Sequence, residues 1–370
     1  MSKYLEKQFP NVKDAFDGHI HMHRWIDEKT GEEFIHGFEE YRRQCNLKYI
    51  ALAPLPSGNP TPVARDVSNN IICAFYKMLN ENTFSYGGFT YPEYPATREN
   101  MENMSLEAQY DELMEIGFDG IKMLEGKPNL YIEVNNPLDS DFFDGVFEKM
   151  ERDGTYLLMH AVDPETFWTH PTPEMIKKKW FYGDDSIYPS NKEIYRQIDN
   201  VLQKHPSLNL CLAHFFFCSE NPERLEEMMA KYPKLCFDLT PGGEMYLGFN
   251  KRPEYYKEFF TKYQDRMIFG TDMDFPTFIE AGIWLCDRVY RYMATDHTIM
   301  SFDDTLLKGL ALPQEVVQKI FSDNLLRKLG KTPKPINKQA LKRYIEKYDH
   351  LIIDRRLSKK IAELSKKYLD

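Results

Sequence analysis

The sequence predicts a (β/α)₈ barrel with long loops after its strands and a helical extension at its C-terminus. Short apolar runs of strand length recur along the chain, and amphipathic stretches of helical length separate them. Eight such alternations span about 260 residues, which agrees with this fold in count and in length. The segments that follow the strands are long and those that precede them are short, as expected when one face of a barrel carries the active site.

The individual elements follow from apolar periodicity and from capping residues. The predicted strands are Ala15–His21, Tyr49–Pro54, Ser85–Thr90, Gly120–Leu124, Tyr156–Ala161, Leu208–His214, Leu235–Thr240 and Met267–Asp272. The predicted helices are Gly37–Cys45, Ala64–Leu79, Ser105–Ile116, Asp141–Arg152, Asn191–Lys204, Pro222–Lys231, Pro253–Tyr263 and Thr277–Met293. Ser105 and Asn221 are suitable N-caps, and Gly117 is suited to end a helix. The long loops are expected at Met22–His36, Tyr91–Met104, Val162–Ser190 and Pro241–Arg252.

A doubly wound open sheet is the main alternative to the barrel. Such a sheet usually carries a glycine-rich phosphate loop after its first strand. Histidines occupy that position in this chain. The sequence therefore favours the barrel.

The chain changes character after Gly330. A linker-like KTPKP segment follows, and then a highly charged tail whose apolar residues recur near helical spacing. We expect a barrel over residues 1–330 and an extension of one or two helices over residues 331–370. The extension packs on the barrel or on a partner subunit, so a homo-oligomer is one expectation.

Composition limits the class of partner. The net charge is −10 and the pI is about 5.6, which argues against nucleic acid as the natural ligand. No apolar run is long enough to cross a bilayer, and the first ten residues lack a secretory apolar core. The six cysteines are scattered without a Cys-x-x-Cys pair, as is typical of reduced thiols. We expect a cytoplasmic protein that binds a small molecule.

The segment Asp17-Gly18-His19-Ile20-His21 is the most informative motif. Alternate residues of a strand share a face, so we expect Asp17, His19 and His21 on one side and Phe16, Gly18 and Ile20 on the other. Two imidazoles at this spacing can bind one metal ion. The alternative is a pair of buried histidines that donate to backbone carbonyls.

Further titratable residues end other predicted strands. The fifth strand ends at His160, the sixth at His214 and the eighth at Asp272. Strand C-termini converge in a barrel, and the first and eighth strands become neighbours when it closes. Scattered structural histidines would not be expected at these positions. The sequence therefore predicts a metal centre at the mouth of the barrel.

These motifs together resemble the amidohydrolase superfamily, and in particular the amidohydrolase 2 branch with relatives of aminocarboxymuconate-semialdehyde decarboxylase. The resemblance rests on the histidine and aspartate strand ends, on Phe269-Gly270-Thr271-Asp272 and on Ser322-Asp323-Asn324-Leu325-Leu326 in a late helix over Val316–Leu329. It implies a distorted (β/α)₈ barrel with one or two divalent metal ions.

The resemblance also implies roles for individual residues. His19, His21 and His160 would be metal ligands, and Asp272 would be a ligand or would bond to the metal-bound water. His214 would lie near that water as an acid, a base or an electrostatic aid. Nitrogen and oxygen ligands favour zinc, and manganese or iron would also fit.

Lys122 ends the fourth predicted strand, where binuclear relatives use a carboxylated lysine. It is expected to be such a carbamate, a charged lysine that binds an anionic substrate group, or a partner of Asp17. Trp25 and Trp168 are candidate substrate contacts, with Phe215 as a further part of an aromatic wall. Asp238 and Asp274 are weaker substrate candidates, and Arg65 and Arg98 are candidate carboxylate-binding residues.

Three functions remain open from the sequence. The leading one is a metal-dependent hydrolase whose metal-activated water attacks an amide, ester or lactone. The second is a metal-dependent, non-oxidative decarboxylase of an aromatic or enoic carboxylate. The third is a metal-binding barrel without catalytic activity.

Overall fold

Parallel strands form one curled sheet in the computed structural model, which describes residues 11–22, 37–55, 67–101, 104–241, 243–275, 279–300, 305–352 and 354–370. The strands are β1 (Phe16–Met22), β2 (Tyr49–Leu52), β3 (Thr83–Gly88), β4 (Gly120–Met123), β5 (Tyr156–Met159), β6 (Leu210–Leu212), β7 (Cys236–Asp238), β8 (Met267–Ile268) and β9 (Met273–Phe275). Their order is β8-β7-β6-β5-β4-β3-β2-β1-β9. The (β/α)₈ prediction is confirmed, although the third strand lies two residues earlier than predicted.

The two edge strands of this sheet belong to one stretch of chain. Residues 267–275 pair with β7 through β8 and with β1 through β9. Between these strands, the Gly18 amide donates to the Phe269 carbonyl at 3.0 Å and the Asp272 amide donates to the His19 carbonyl at 2.9 Å. The stretch thus joins the last strand to the first, and the doubly wound alternative is wrong.

Helices cover the outside of the sheet. They are α1 (Glu39–Gln44), α2 (Ser68–Leu79), α3 (Leu106–Ile116), α4 (Pro128–Val134), α5 (Asp141–Asp153), α6 (Thr166–Thr169), α7 (Pro173–Lys177), α8 (Asn191–Lys204), α9 (Pro222–Lys231), α10 (Gly243–Lys251), α11 (Pro253–Lys262), α12 (Ile279–Ala294), α13 (Gln314–Gln318), α14 (Asn324–Leu329), α15 (Lys338–Tyr348) and α16 (Arg355–Tyr368). A π-helical turn over Lys319–Asp323 joins α13 to α14. A hairpin of β10 (Thr298–Met300) and β11 (Leu306–Lys308) forms a separate small sheet.

The predicted caps are confirmed, whereas two predicted loops contain helices, of which α6 and α7 lie within 162–190. Ser105 and Asn221 accept amide hydrogen bonds at the starts of α3 and α9, and Gly117 ends α3 with a φ of 104°. The segment 241–252, expected to be a loop, contains α10. Met245 and Phe249 are one helical turn apart and both are fully buried, so helix formation brings them to the same face.

Two apolar layers position the mouth of the barrel. Inside it, Phe16, Tyr86, Tyr156 and other inward side chains fill the lower part, and Leu325 of α14 closes the bottom. The larger layer lies between the sheet and the helices. With the lower barrel filled, the polar side chains that follow the strands are confined to the upper end.

The C-terminal extension forms two helices, as expected, and attaches to the barrel next to a buried ion pair. Lys77 and Asp119 lie 2.5 Å apart, Nζ to Oδ2, with side chains only 1% exposed. Asp119 also accepts the Lys334 amide at 2.9 Å. α15 packs on α3, and α16 packs on α2. In the part of the chain that the structure describes, no helix is long and apolar enough to span a membrane. The six cysteines are buried free thiols.

Candidate metal centre

A bulge in β1 determines which side chains of the histidine motif face the barrel interior. Asp17 pairs with Ile50, and Ile20 pairs with Leu52. This stretch of β1 therefore contains one residue more than the stretch of β2 that it faces. Phe16 therefore packs inside the barrel, while Asp17 points to Tyr41 and Thr271. The predicted sharing of one face by Asp17 and the two histidines is wrong, because the bulge shifts the alternation after Asp17.

His19, His21 and Asp272 converge beyond this bulge. The two Nε2 atoms of the histidines are 3.2 Å apart, and Asp272 Oδ1 lies 2.9 Å from that of His21 and 3.5 Å from that of His19. Ligand atoms about 2.0–2.1 Å from a tetrahedral metal ion are about 3.3 Å from one another. The three atoms are therefore already at the spacing that one metal ion requires.

Hydrogen bonds on the far side of the two rings fix their tautomers. Asp238 Oδ2 accepts from His19 Nδ1 at 2.8 Å, and the Ala53 carbonyl accepts from His21 Nδ1 at 2.7 Å. With the proton held on Nδ1, each ring presents its Nε2 lone pair to the centre. Burial, with a smaller contribution from the nearby Lys122 ammonium, lowers the pKa of His19 well below its ordinary value and keeps the ring neutral.

Asp272 reaches the centre from a left-handed backbone conformation, with a φ of 57°. Its side chain is about one-third exposed. Burial alone would raise the pKa of Asp272, but the neighbouring side chains of His21, His214 and His19 hold it well below its ordinary value. Asp272 is therefore an ionised carboxylate with one side open to solvent.

His214 lies beside this carboxylate on a strained turn. Residues 214–217 have φ values of 53°, 54°, 55° and 47°, a conformation that costs non-glycine residues about 1–2 kcal/mol each. Its Nδ1 donates to the Thr240 carbonyl at 3.2 Å, and its Nε2 lies 3.9 Å from Asp272 Oδ2. Burial lowers the pKa of His214 to about 4. His214 thus presents a third Nε2 lone pair to the centre, beside those of His19 and His21.

Aromatic packing stabilises this turn. Phe215 is fully buried against Phe237 and Phe249, and Phe216 packs on Tyr195. Phe215 is therefore core rather than part of an aromatic wall, which corrects that expectation. Phe217 instead stacks on the His214 ring, with centroids 5.3 Å apart.

His160 belongs to the same cluster but is held differently. Its ring centroid is 4.7 Å from that of His214, and its Nε2 lies 2.9 Å from Asp163 Oδ1. Asp163 also accepts from Lys127 Nζ at 2.6 Å and from the Tyr182 hydroxyl at 2.9 Å. These contacts hold the pKa of Asp163 well below its ordinary value despite burial. The carboxylate therefore retains the proton of His160 on Nε2, which leaves Nδ1 as the ring's lone-pair atom.

Lys122 projects into the barrel next to the centre. Its Nζ lies 3.1 Å from His19 Nε2, and its side chain is almost wholly buried. Burial lowers its pKa to about 8, although the carboxylates of Asp272 and Asp238 oppose that shift. The expected pairing with Asp17 is wrong, because Asp17 points away from the barrel interior.

The donor set fits a divalent metal ion. Four imidazoles form a chain of ring contacts, and each carries its proton on the nitrogen that faces a protein acceptor. One carboxylate supplies negative charge. Neutral imidazoles with fixed outer hydrogen bonds and an adjacent carboxylate are typical of metal centres.

Comparison with known protein families agrees with this geometry. The family model described as amidohydrolase matches residues 100–330, which is more than half of the chain. The chain belongs to the amidohydrolase family. Members of this family are metal-dependent, and this chain has a His-His-Asp group that could hold the ion. Comparison with curated proteins gives no match.

Solved structures resemble this chain in fold. An uncharacterized TIM-barrel protein from Bordetella bronchiseptica is 13% identical with a TM-score of 0.53, over 85% of this chain and 98% of that one. 5-Carboxyvanillate decarboxylase from Sphingomonas paucimobilis is 13% identical with a TM-score of 0.50, over 85% and 98%. 4-Oxalomesaconate hydratase from Rhodopseudomonas palustris is 13% identical with a TM-score of 0.50, over 91% and 99%. At this identity the likeness shows the fold alone.

The other candidate residues predicted from the sequence lie in different places. Trp25 and Arg65 fall outside the described residues. Trp168 packs on Tyr182 and donates its indole N–H to the Pro189 carbonyl, and both of these partners belong to the segment 162–190. Arg98 donates to the Asp141 carbonyl at 2.6 Å. Asp274 pairs with His21 in the register between β1 and β9.

Sequence reasoning gave no structural role to two carboxylates of this site. Asp163 lies three residues after His160, and Asp238 ends β7 at the same level as the histidines. Position at a strand end was a usable signal for Asp238, which the sequence treated only as a weak substrate candidate. No signal in the sequence linked Asp163 to a histidine, because the intervening turn determines where its side chain points.

Proposed function

We propose that this amidohydrolase is a metal-dependent hydrolase of small molecules with an amide, ester or lactone bond. The metal ion would be held by His19, His21, His160 and Asp272. The ion, when bound, lowers the pKa of a coordinated water so that this water can act as a nucleophile near neutral pH. The ligand set favours zinc, and manganese or iron would also fit.

One observation favours hydrolysis over decarboxylation. His214 Nε2 and Asp272 Oδ2 lie 3.9 Å apart, and both are proton acceptors that face the centre. The hydrogen bond from His214 Nδ1 to the Thr240 carbonyl fixes this orientation of the ring. Hydrolysis requires a base that accepts a proton from the attacking water and returns it to the leaving group. The 3.9 Å spacing supports the assignment of that transfer to His214 and Asp272.

A second candidate, non-oxidative decarboxylation of an aromatic or enoic carboxylate, is favoured by Lys122. Its buried amine lies 3.1 Å from His19 Nε2, beside the expected metal position. An ammonium group there would bind a substrate carboxylate and could donate the proton that replaces carbon dioxide. Lys122 thus favours an anionic substrate for either reaction.

The experiment that separates the two reactions uses protein loaded with Zn²⁺ or Mn²⁺ and a panel of small carboxylates. Part of the panel also carries an amide, ester or lactone bond. We expect hydrolysis products without carbon dioxide. Release of carbon dioxide from a simple aromatic carboxylate would favour the decarboxylase, and turnover of neither class would contradict both proposals.

A variant of His214 tests catalysis against metal binding alone. His214→Ala should retain the metal ion and lose turnover, whereas His19→Ala and Asp272→Ala should lose metal. His205→Ala is the matched control, because His205 is buried against Asp144 at a different place in the fold. If His214→Ala retained full turnover, the proposed role of His214 would be wrong.

The number of ions per chain tests the state of Lys122. One ion per chain is expected for a free amine, whereas a carbamate on Lys122 would bridge two. Elemental analysis of protein purified without a chelator gives this count and the identity of the native metal. The same preparation tests the prediction of a homo-oligomer when its mass in solution is measured.

A further inference from the structure

We propose that Asp238 is a positioning residue that orients both the metal ligand His19 and the catalytic base His214. The proposal rests on the proposed function for the roles of the two histidines. Asp238 ends β7 and is 1% exposed. Neither histidine is its neighbour in sequence, so only the fold brings the three residues together.

The two carboxylate oxygens of Asp238 accept hydrogen bonds from different groups. Oδ2 accepts from His19 Nδ1 at 2.8 Å. Oδ1 accepts from the main-chain amide of His214 at 2.7 Å and from that of Thr240 at 3.2 Å. Asp238 therefore holds a side chain from the first strand and the start of the strained turn after β6. It orients both through hydrogen bonds to groups that face away from the metal position.

The neighbours of Asp238 require a hydrogen-bond acceptor at both oxygen positions of its side chain. The imidazole N–H of His19 and the main-chain N–H of His214 are both donors, and an ionised carboxylate accepts without donating. Thr240 Oγ1 also lies 3.1 Å from His19 Nδ1, but a hydroxyl can donate as well as accept, so it does not fix the tautomer.

Asp238→Asn breaks this arrangement with little change in shape. If the amide oxygen accepts from His214, the NH₂ group faces His19 Nδ1 and drives the imidazole proton to Nε2, where the metal should bind. If the amide is turned over, the NH₂ group opposes the His214 amide and displaces the turn. Either orientation disturbs one of the two histidines.

The first measurement is made on metal-free protein near pH 7.5. Nuclear magnetic resonance of ¹⁵N-labelled histidine distinguishes a proton on Nδ1 from one on Nε2, and a His19→Gln variant assigns the signal. We expect the Nδ1–H form of His19 in the wild type. We expect the Nε2–H form, a mixture of both or a displaced His214 signal in Asp238→Asn.

The second measurement is the affinity for Zn²⁺ alone, by competition with a chromophoric chelator. Loss of an outer hydrogen-bond partner typically weakens metal binding by about tenfold to a hundredfold, and we expect that loss for Asp238→Asn. Asp144→Asn is the matched control. Asp144 also accepts from an imidazole, that of His205 at 2.9 Å, but it lies on α5 outside the sheet, away from the metal centre. We expect its zinc affinity to remain within about threefold of the wild type.

The outcomes separate the proposal from a general loss of stability. A changed tautomer or a displaced His214 signal, with weaker zinc binding in Asp238→Asn alone, supports it. Unchanged spectra and affinity, or an equal loss in Asp144→Asn, overturn it. If Asp238→Asn does not fold, the wild-type spectrum decides, since an Nε2–H form of His19 contradicts the proposal and an Nδ1–H form supports it. These readouts need no substrate, so failure of the proposed reaction would leave them interpretable.

Discussion

Acidification of the metal-free protein should show how strongly the fold holds the imidazole of His214 neutral. Burial lowers the pKa of His214 to about 4, from an ordinary value of 6.5. Between these two pH values the unfolded chain binds a proton at this site and the folded protein does not. Stability therefore falls as the pH falls through that window, and above pH 6.5 the site has no effect.

The magnitude follows from the width of the window. Each unit of pKa difference corresponds to about 1.4 kcal/mol, so the interval between 6.5 and 4 is worth about 3 kcal/mol for this one histidine. His160, whose pKa burial also lowers to about 4, adds a similar loss. Asp17 acts in the opposite direction, because burial raises its pKa to about 6. As the pH falls, the folded protein binds this proton before the unfolded chain does, which increases stability. A single variant is needed to isolate one contribution.

The assay compares the wild type with His214→Asn by urea denaturation at several pH values between 7 and 4, with a chelator present. Asparagine tolerates the left-handed backbone at this position. The difference in the free energy of unfolding between the wild type and His214→Asn should change by about 1.4 kcal/mol per pH unit below pH 6.5. His297→Asn, at an exposed position, should run parallel to the wild type. If the curve of His214→Asn also ran parallel to that of the wild type, with slopes that differ by less than about 0.5 kcal/mol per pH unit, the reasoning would be refuted.

Three further predictions concern stability and metal binding. Asp119→Ala should reduce the free energy of unfolding by about 3–5 kcal/mol in chemical denaturation, because it leaves the buried Lys77 ammonium unpaired; a loss below about 1 kcal/mol would contradict this. Gly270→Ala should destabilise by about 1–3 kcal/mol and weaken zinc binding, because the new Cβ would lie 2.7 Å from His19 Cβ; unchanged zinc affinity would show that His19 does not have to move. Free Zn²⁺ at a hundred times its dissociation constant should raise the free energy of unfolding by about 2.7 kcal/mol in wild-type protein, and by much less in His19→Ala.

Position along the chain was sufficient to predict that His19, His21 and Asp272 would converge. These three residues end or follow predicted strands, and the barrel brings those strand ends together. This inference depends on topology rather than on detailed packing, so errors of two residues in strand boundaries did not affect it. Assignment of the ligand roles stays a prediction.

The face of β1 could not be read from the sequence. Strict alternation assigned Asp17 to the side of the histidines, but the bulge changes the phase within the strand. A bulge forms when the pairing of two strands accommodates an extra residue, and that pairing is set by contacts with a neighbouring strand. The same limitation applies to the His214 turn, because His-Phe-Phe-Phe contains no glycine that would indicate a left-handed backbone.

The sequence by itself determined the alternation of strands and helices, and with it the (β/α)₈ barrel whose strand ends carry imidazoles and a carboxylate. Those properties follow from apolar periodicity and chain order, which are local. Only the tertiary structure decided which nitrogen of each imidazole carries the proton. The acceptor for His19 is Asp238, 219 residues away in the chain. Such a partner becomes a neighbour only when the barrel closes.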